Sequence, residues 1–512
     1  MQRPRHTSAA AETGLSFTWP VSASFLSRLA CILRGVEILF VTTELAPYSV
    51  DPRAPEIAEA AASLPKALRG LGHRVVVISP LYKGIDPTAR SLARRLSAVS
   101  VDVLGKHYTC HLYDGRTTGG VDLIFLANPE LFGDHAPGAA DADTRLRSSL
   151  LLSAAAAQIA HTREPKVDVL HARGAATAAA LPLAKQLRPE LGCALSIHEG
   201  DDPLLLPVAQ LSELFLPEAL RNNVLQSAPS LLSAGIKSAD AVVVNSTASA
   251  RRMVDPAQGG PLAALLQQKG SRFVGIVNGV DASIWNPLVD SHLSSRFDAT
   301  DLAGKQRCKG ALQYMLGLGV HPDTPLIVAI GELSEARGGD LIAQVTSDCM
   351  RSELQLCVLG SEGPAADQVC GLSSELPERL AIRTSHDEKE RHLALGAADF
   401  LLLPAREPRS VEIALCAMRY GALPIVHNVG PLGDHIVDVD AKLETGNGFL
   451  IETPTPEEVL ASVQRAVNAY ARRKPFDALR KRAMRHDVSW ERSARRYEHL
   501  FKQIAQVAAP AA

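Results

Sequence analysis

The sequence predicts an α/β protein of two doubly wound domains that face a central cleft. Three observations carry that expectation. Short apolar, β-branched runs recur without polar–apolar alternation, as strands buried on both faces must. Ala- and Leu-rich stretches of helical length separate them. The series then breaks in a polar stretch and begins again, in a chain of 512 residues that is too long for one hydrophobic core.

The first series reads EILFVTT (37–43), RVVVIS (74–79), DLIFLA (122–127), VDVLHA (167–172), ALSIHE (194–199), AVVVN (241–245) and RFVGIVNG (272–279). Residues 56–70 and 143–161 suit crossover helices between them. Strand, helix, strand at this spacing makes βαβ units and parallel sheets. The polar stretch LVDSHLSSRFDATDLAGKQRCKG (288–310) separates this series from PLIVAIGE (325–332), LQLCVLG (354–360), LAIRT (380–384), DFLLLP (399–404), ALPIVHN (422–428) and GFLIE (448–452). A last helix is expected over SWERSARRYEHLFKQIA (489–505). The expected organisation is an extension at 1–35, a Rossmann-like domain at 36–295, a second at 296–486, and a segment 487–512 whose helix returns to the first domain. Ligands of such folds bind outside the carboxyl ends of the strands, which here means the interdomain cleft.

Composition narrows the function. Hydrophobic residues make up 46% and charged residues 21%, ordinary for a soluble globular protein. A formal net charge of −2 supplies no field to recruit nucleic acid or an acidic membrane. No apolar run approaches the ~20 residues that span a bilayer. Aromatic residues are only 4%, so any sugar site must be small and specific. The eight cysteines, at 31, 110, 193, 308, 349, 357, 370 and 416, form no Cys-x-x-Cys pair, and several lie in apolar segments. Buried free thiols in a reducing cytoplasm are the expectation, with neither zinc nor a dithiol site. The first 35 residues are basic, Ser/Ala-rich and hold a single acid, Glu12. They read either as a transit segment or as the product of a start placed upstream of a true initiator at Val36, and in both cases lie outside the fold.

Specific information begins at VNGVDASIWNP (277–287), where Asn-Gly marks a tight turn after a strand and the Asp/Trp/Asn/Pro run has no simple structural need for its order. This segment resembles the bacterial glycogen synthase and plant starch synthase family. EILFVTTELAP (37–47), LPKALRGLGHRVVVISPLY (64–82), MRYGALPIV (418–426), GFLIETPTPEEV (448–459) and DVSWERSARRY (487–497) resemble the same family in the same order, so the likeness covers about residues 36–505. It implies a GT-B type fold and transfer of glucose from ADP-glucose to the non-reducing end of an α-1,4-glucan with retention, without a metal or other cofactor. Breaking the sugar–diphosphate bond builds charge on the leaving ADP, so cations and N–H groups must surround the two phosphates.

The resemblance assigns residues one by one. The family's Lys-x-Gly-Gly-Leu-Gly-Asp loop falls on 53–59, leaving Arg53 as the cation and Glu59 as the acid. All three glycines are lost, so backbone N–H access narrows and ordinary helix-start chemistry competes with substrate contact. The family's Ser-Arg-Leu-x-x-x-Lys-Gly falls on 331–338, where Arg337 keeps a charge but Glu332 replaces the arginine. A like-charge contact with phosphate at ~4 Å is unfavourable by about 4 kcal/mol. Arg-Phe-Glu-Pro-Cys-Gly-Leu aligns its glutamate with Pro408, or with Glu407 after a one-residue slide; a helix-terminal acid is the plainer reading of Glu407. His171-Ala172-Arg173-Gly174 has lost an acid and a histidine of the family's pattern. His198 ends a strand where a ligand would lie, and His386 replaces an adenine-stacking tyrosine.

The resemblance therefore implies catalytic roles for His198, Glu407 and Arg337, and substrate contacts for Arg53, Glu59, Asn278, Arg337 and His386. Asp438-Val439-Asp440 spells a metal motif of other transferases but follows a helix, and reads as surface acids. Gly119-Gly120 reads as a turn. Because scaffold segments match and substrate loops diverge, two alternatives accompany the synthase reading. One is a catalytically impaired paralogue that binds glucan or regulates; the other is a transferase re-specialised to another sugar nucleotide.

Overall fold

The computed structural model of the chain describes residues 35–49, 55–133, 140–198, 203–206, 218–223, 229–407 and 411–508. The first sheet contains β1 (Glu37–Val41), β2 (Arg74–Pro80), β3 (Ala93–Val103), β4 (Lys106–Arg116), β5 (Asp122–Ala127), β6 (Val169–Arg173), β7 (Gly192–Ile197), β8 (Ala241–Val244) and β9 (Phe273–Gly275), in the order β3-β4-β5-β2-β1-β6-β7-β8-β9. The second contains β10 (Leu326–Ile330), β11 (Gln355–Leu359), β12 (Leu380–Arg383), β13 (Phe400–Leu403), β14 (Leu423–His427) and β15 (Phe449–Ile451), in the order β12-β11-β10-β13-β14-β15 and parallel throughout. Both sheets are doubly wound, as the unbroken apolar runs require: every residue of β10, β11 and β14 is buried. Strand order reverses between β1 and β6 in one sheet and between β10 and β13 in the other, and these are the two places where such sheets bind ligands.

Two features depart from the sequence reading. β3 and β4 form an antiparallel hairpin at the edge of the first sheet, in a stretch where the sequence pattern predicts no strand. Its residues alternate in exposure, so it lacks the continuous apolar signature. The polar stretch 288–310 is also only partly a connection, since the helix Ala303–Leu316 starts inside it. Lys305 and Lys309 on that helix are buried. Lys305 Nζ donates to the carbonyls of Gly396 at 3.0 Å and Tyr420 at 2.7 Å. Lys309 Nζ lies 2.8 Å from Asp399 Oδ2, and Arg480 Nη2 is 2.5 Å from Asp399 Oδ1. The backbone N–H of Leu326 also donates to Asp399, which ties β10 to β13 at the end of the sheet away from the cleft.

The chain passes from the first apolar core to the second between Ile276 and Val280, and returns between Val488 and Trp490. The two crossings touch: the Val280 N–H donates to the Val488 carbonyl at 2.8 Å. Gly279 is needed here, because a Cβ on it would lie 2.4 Å from the Trp490 nitrogen. The final helix, Trp490–Ala508, then buries Trp490, Tyr497, Phe501 and Ile504 in the first core. Among the described residues no helix is long and apolar enough to cross a membrane.

Burial alone would raise the Asp399 carboxyl, but Lys309 and Arg480 reverse that and hold it below the usual carboxylate range. Asp399→Asn leaves two buried cations without their counter-charge, so it should cost about 3–5 kcal/mol, read as a lowered denaturant midpoint. Because the folded value is depressed, wild-type stabilisation is complete above the unfolded value of about 3.9 and fades as pH falls through the folded one. The difference between wild type and Asp399→Asn should therefore shrink in acid.

Candidate functional site

Each switch point opens into a cavity. The larger, of about 510 Å³, lies at the carboxyl ends of the second sheet's strands and is lined by Gly331–Leu333 after β10, Gly360 and Ser361 after β11, Thr384–His386 after β12 and Leu403–Ala405 at β13. Glu59 enters the lining from the first domain, on the helix Pro55–Gly70, so this cavity belongs to both halves. Its other charged residues are Glu332, Arg337, Arg391 and Glu412.

Of the residues singled out from sequence, Glu59, Arg337 and His386 meet in this cavity. Glu59 Oε1 accepts from Arg391 Nη2 at 2.7 Å. Arg337 reaches the rim, where its Nη1 donates to the Glu407 carbonyl at 3.3 Å. Burial, and then the nearby Arg391 charge, push the His386 imidazole below its ordinary value, so it is a neutral flat ring near pH 7. Its Nδ1 has no hydrogen-bond partner among the described residues. Glu332 lines the cavity, is exposed, and has no ion-pair partner among the described residues. Glu407 lies outside the lining: its side chain is exposed and its N–H donates to the Ala336 carbonyl. Arg53 is outside the described residues, as are Pro408, Arg409 and Ser410.

Asn278 is buried, and its Nδ2 donates to Glu412 Oε1 at 2.6 Å. Glu412 opens the helix Glu412–Arg419 and is itself buried, so this bond joins the end of the first domain to the cavity wall of the second. Neither Glu412 nor Arg391 was singled out from sequence. Glu412 sits one residue past the family's motif, where it reads as a first-turn acid; Arg391 sits on a charged helix start, Glu388–Ala397, where it reads as solvated surface.

His198 goes elsewhere. It lines the second cavity, of about 400 Å³, at the switch point of the first sheet, with Thr42, Thr43, Tyr82, Arg145 and Arg173. Arg173 is buried, and its Nη2 lies 3.5 Å from His198 Nε2. His171 is structural: its Nε2 is 2.8 Å from Ser196 Oγ, and burial beside Arg173 lowers it to about 3.

The Asp/Trp/Asn/Pro run proves to have a structural purpose, correcting the sequence reading. Asp281 pairs with Lys66 at 2.7 Å and accepts from Ser283. Trp285 stacks on His392 with ring centroids 3.8 Å apart and planes 8° apart, while the Arg391 guanidinium lies 5.0 Å from the Trp285 ring. Asn286 Oδ1 accepts the Leu288 N–H. The run thus packs the first crossing against the helix that carries Arg391. Asp438 and Asp440 are local: Asp438 pairs with Arg465 and Asp440 accepts backbone N–H groups of Glu444 and Thr445.

Comparison with known proteins places the chain in a family. A family profile described as the starch synthase catalytic domain matches residues 37–268. A glycogen synthase of an Anaeromyxobacter species is 33% identical over 92% of this chain and 100% of its own length. The glycogen synthase of Myxococcus xanthus is 31% identical over 92% of this chain and 99% of its own. Among solved structures, the catalytic domain of starch synthase IV from Arabidopsis thaliana, bound to ADP and acarbose, superposes with a TM-score of 0.83 at 25% identity, covering 92% of this chain and 99% of that one.

The buried Asn278–Glu412 contact generates a pH signature. Asn278→Asp sets two carboxylates at hydrogen-bond distance in a buried place, so one must hold a proton. Its folded value is then raised above the unfolded one, and the variant is stabilised by lowering pH. In thermal melts its deficit against wild type should be largest near about pH 8 and shrink toward about pH 5, whereas Asn278→Ala should show no such trend.

Proposed function

The chain belongs to the glycogen synthase and starch synthase family of glycosyltransferases, and from that premise we propose that it transfers glucose from ADP-glucose to the non-reducing end of an α-1,4-glucan, with retention. The observation that carries this reading is the larger cavity: it sits at a switch point, both domains line it, and it gathers Arg337, His386 and Glu59. The ADP held by the Arabidopsis neighbour supports a nucleotide there, and its acarbose supports a carbohydrate acceptor.

In this reading the neutral His386 ring stacks on the base, and Arg337, with Arg53 from the first domain, neutralises the diphosphate. Asn278, fixed by Glu412, borders the glucose. The acceptor approaches from the first domain past His198, whose cavity lies at that sheet's switch point. The acceptor hydroxyl attacks C1 on the face that the diphosphate leaves, the C1–O bond to phosphate breaks, and the hydroxyl proton passes to the departing phosphate oxygen. Charge grows on that phosphate as the bond lengthens, so a fixed guanidinium stabilises the transition state more than the ground state. The Glu407 carbonyl, which accepts from Arg337, supports a role for this residue in positioning that arginine. The seven described cysteines are unpaired, which supports a reducing, cytoplasmic setting.

The second reading, an impaired or re-specialised transferase, turns on Glu332, an acid of the donor cavity with no ion-pair partner among the described residues. Labelled ADP-glucose and UDP-glucose, each offered with glycogen, separate the readings. Incorporation from ADP-glucose in preference to UDP-glucose is expected; glycogen binding without incorporation or ADP binding would overturn the first reading in favour of the second. Because Glu332 is exposed, its repulsion is screened, yet Glu332→Arg exchanges repulsion for attraction. ADP binding by calorimetry should tighten about tenfold in that variant, and more at low salt than at high.

A further inference from the structure

The donor cavity's charges are arranged unevenly. Three carboxylates line it, Glu59, Glu332 and Glu412, against two guanidinium groups, Arg337 and Arg391. Arg337 is engaged at the rim with the Glu407 carbonyl. Arg391 is the deeper cation. Its side chain is only 18% exposed, one nitrogen pairs with Glu59, and its Nε has no hydrogen-bond partner among the described residues. Burial opposes its charge, but Glu59 more than compensates and keeps the guanidinium fully charged. Five N–H donors with one carboxylate oxygen to serve leave capacity for another anion.

Its placement is rigid. The helix Glu388–Ala397 is closed by a capping box between Asp387 and Glu390. The next residue, His392, is buried, stacks on Trp285 and lies 2.7 Å from Asp290. Trp285 also offers its ring to the Arg391 guanidinium, so the cation is held from one side by an aromatic face and from another by Glu59. A cation fixed in this way at a cavity wall needs little reorganisation to meet a phosphate.

We propose that Arg391 is a second diphosphate-binding cation of the donor site, standing in for the positive charge missing at Glu332, with Glu59 as the exchangeable counter-ion that holds it until the diphosphate arrives. This rests on the reading of the cavity as a nucleotide-sugar site. It also makes the donor a competitor for a contact between the domains, because Glu59 belongs to the first and Arg391 to the second.

The test is calorimetric titration of the full chain with ADP, which lacks the sugar and so leaves any contact of Glu59 with glucose out of the measurement. Arg391→Gln should weaken ADP binding roughly tenfold to a hundredfold, the range of a lost hydrogen bond to a charged group. Arg391→Lys should fall between that variant and wild type. Glu59→Gln removes the competing carboxylate and should bind ADP at least as tightly as wild type. An ion pair that served only to hold the domains together would make Glu59→Gln and Arg391→Gln lose affinity alike, and that result overturns the proposal. So does wild-type affinity in Arg391→Gln. Should Arg391→Gln fail to fold, judged by its circular dichroism, the direction of the Glu59→Gln change still decides. Wild-type protein that binds no ADP overturns the nucleotide-site reading along with this proposal, whereas ADP binding indifferent to Arg391 overturns this proposal alone.

Discussion

The two backbone crossings that lie side by side at Val280 and Ser489 are the constraint on which the rest of the molecule depends. They are the covalent links between the apolar cores, and they are hydrogen-bonded to each other: Val280 to Val488, and Trp490 back to Val280. Ser493 adds a bond to the Val277 carbonyl. Both strands of the connection are thereby pinned at one place between the two sheets. Gly279 permits the close approach, and the neighbouring residue, Asn278, reaches directly into the wall of the larger cavity. Crossing and cavity wall are therefore one residue apart in sequence, joined by the Asn278–Glu412 contact.

Away from the crossings, polar contacts join the halves across the cleft. The Asp434 carboxylate, from the second domain, accepts from Ser246 Oγ and from the N–H groups of Thr247 and Ala248, so it caps the helix Thr247–Val254 of the first. Glu59 meets Arg391, and Asn278 meets Glu412. Each such bond is exchanged for water on opening, at a net cost of about 1 kcal/mol, while a dry apolar interface would cost far more. A transferase must open to admit a donor and close to exclude water from a reactive sugar, and contacts of this kind suit both states.

The scaffold was legible because parallel strands buried on both faces leave a signal that no exposed segment imitates. The edge hairpin β3–β4 was not, because a half-exposed ladder alternates and resembles irregular polar chain. Lys305 and Lys309 misled for a related reason: charge in sequence reads as surface, and only the fold supplies the carbonyls and the Asp399 carboxylate that make their burial tolerable. In the site, His386 and His198 follow strand ends and line the larger and the smaller cavity, and Glu59 reaches the larger from the helix Pro55–Gly70. Arg391 and Glu412 escaped notice because their helices, 388–397 and 412–419, carry no motif of their own. What brings them to the cavity is the packing of Trp285 and the reach of Asn278, and neither is written in the local sequence.

These substitutions share a direction. Where the family's loop carries glycines this chain has Pro55, Glu56 and Ala58, and they lie at the start of the helix Pro55–Gly70. In the proposed donor site, recognition of a diphosphate rests on guanidinium groups, which require a carboxylate nearby until the ligand binds, more than on backbone dipoles, which carry no net charge and need no counter-ion. A cavity built on that principle must hold acids as well as bases, and Glu59, which keeps the acid of the family's loop, is the one that pairs with Arg391. Glu332 is the residue this logic does not absorb: it lines the cavity with no cation of its own among the described residues, and only its exposure to solvent tempers its charge.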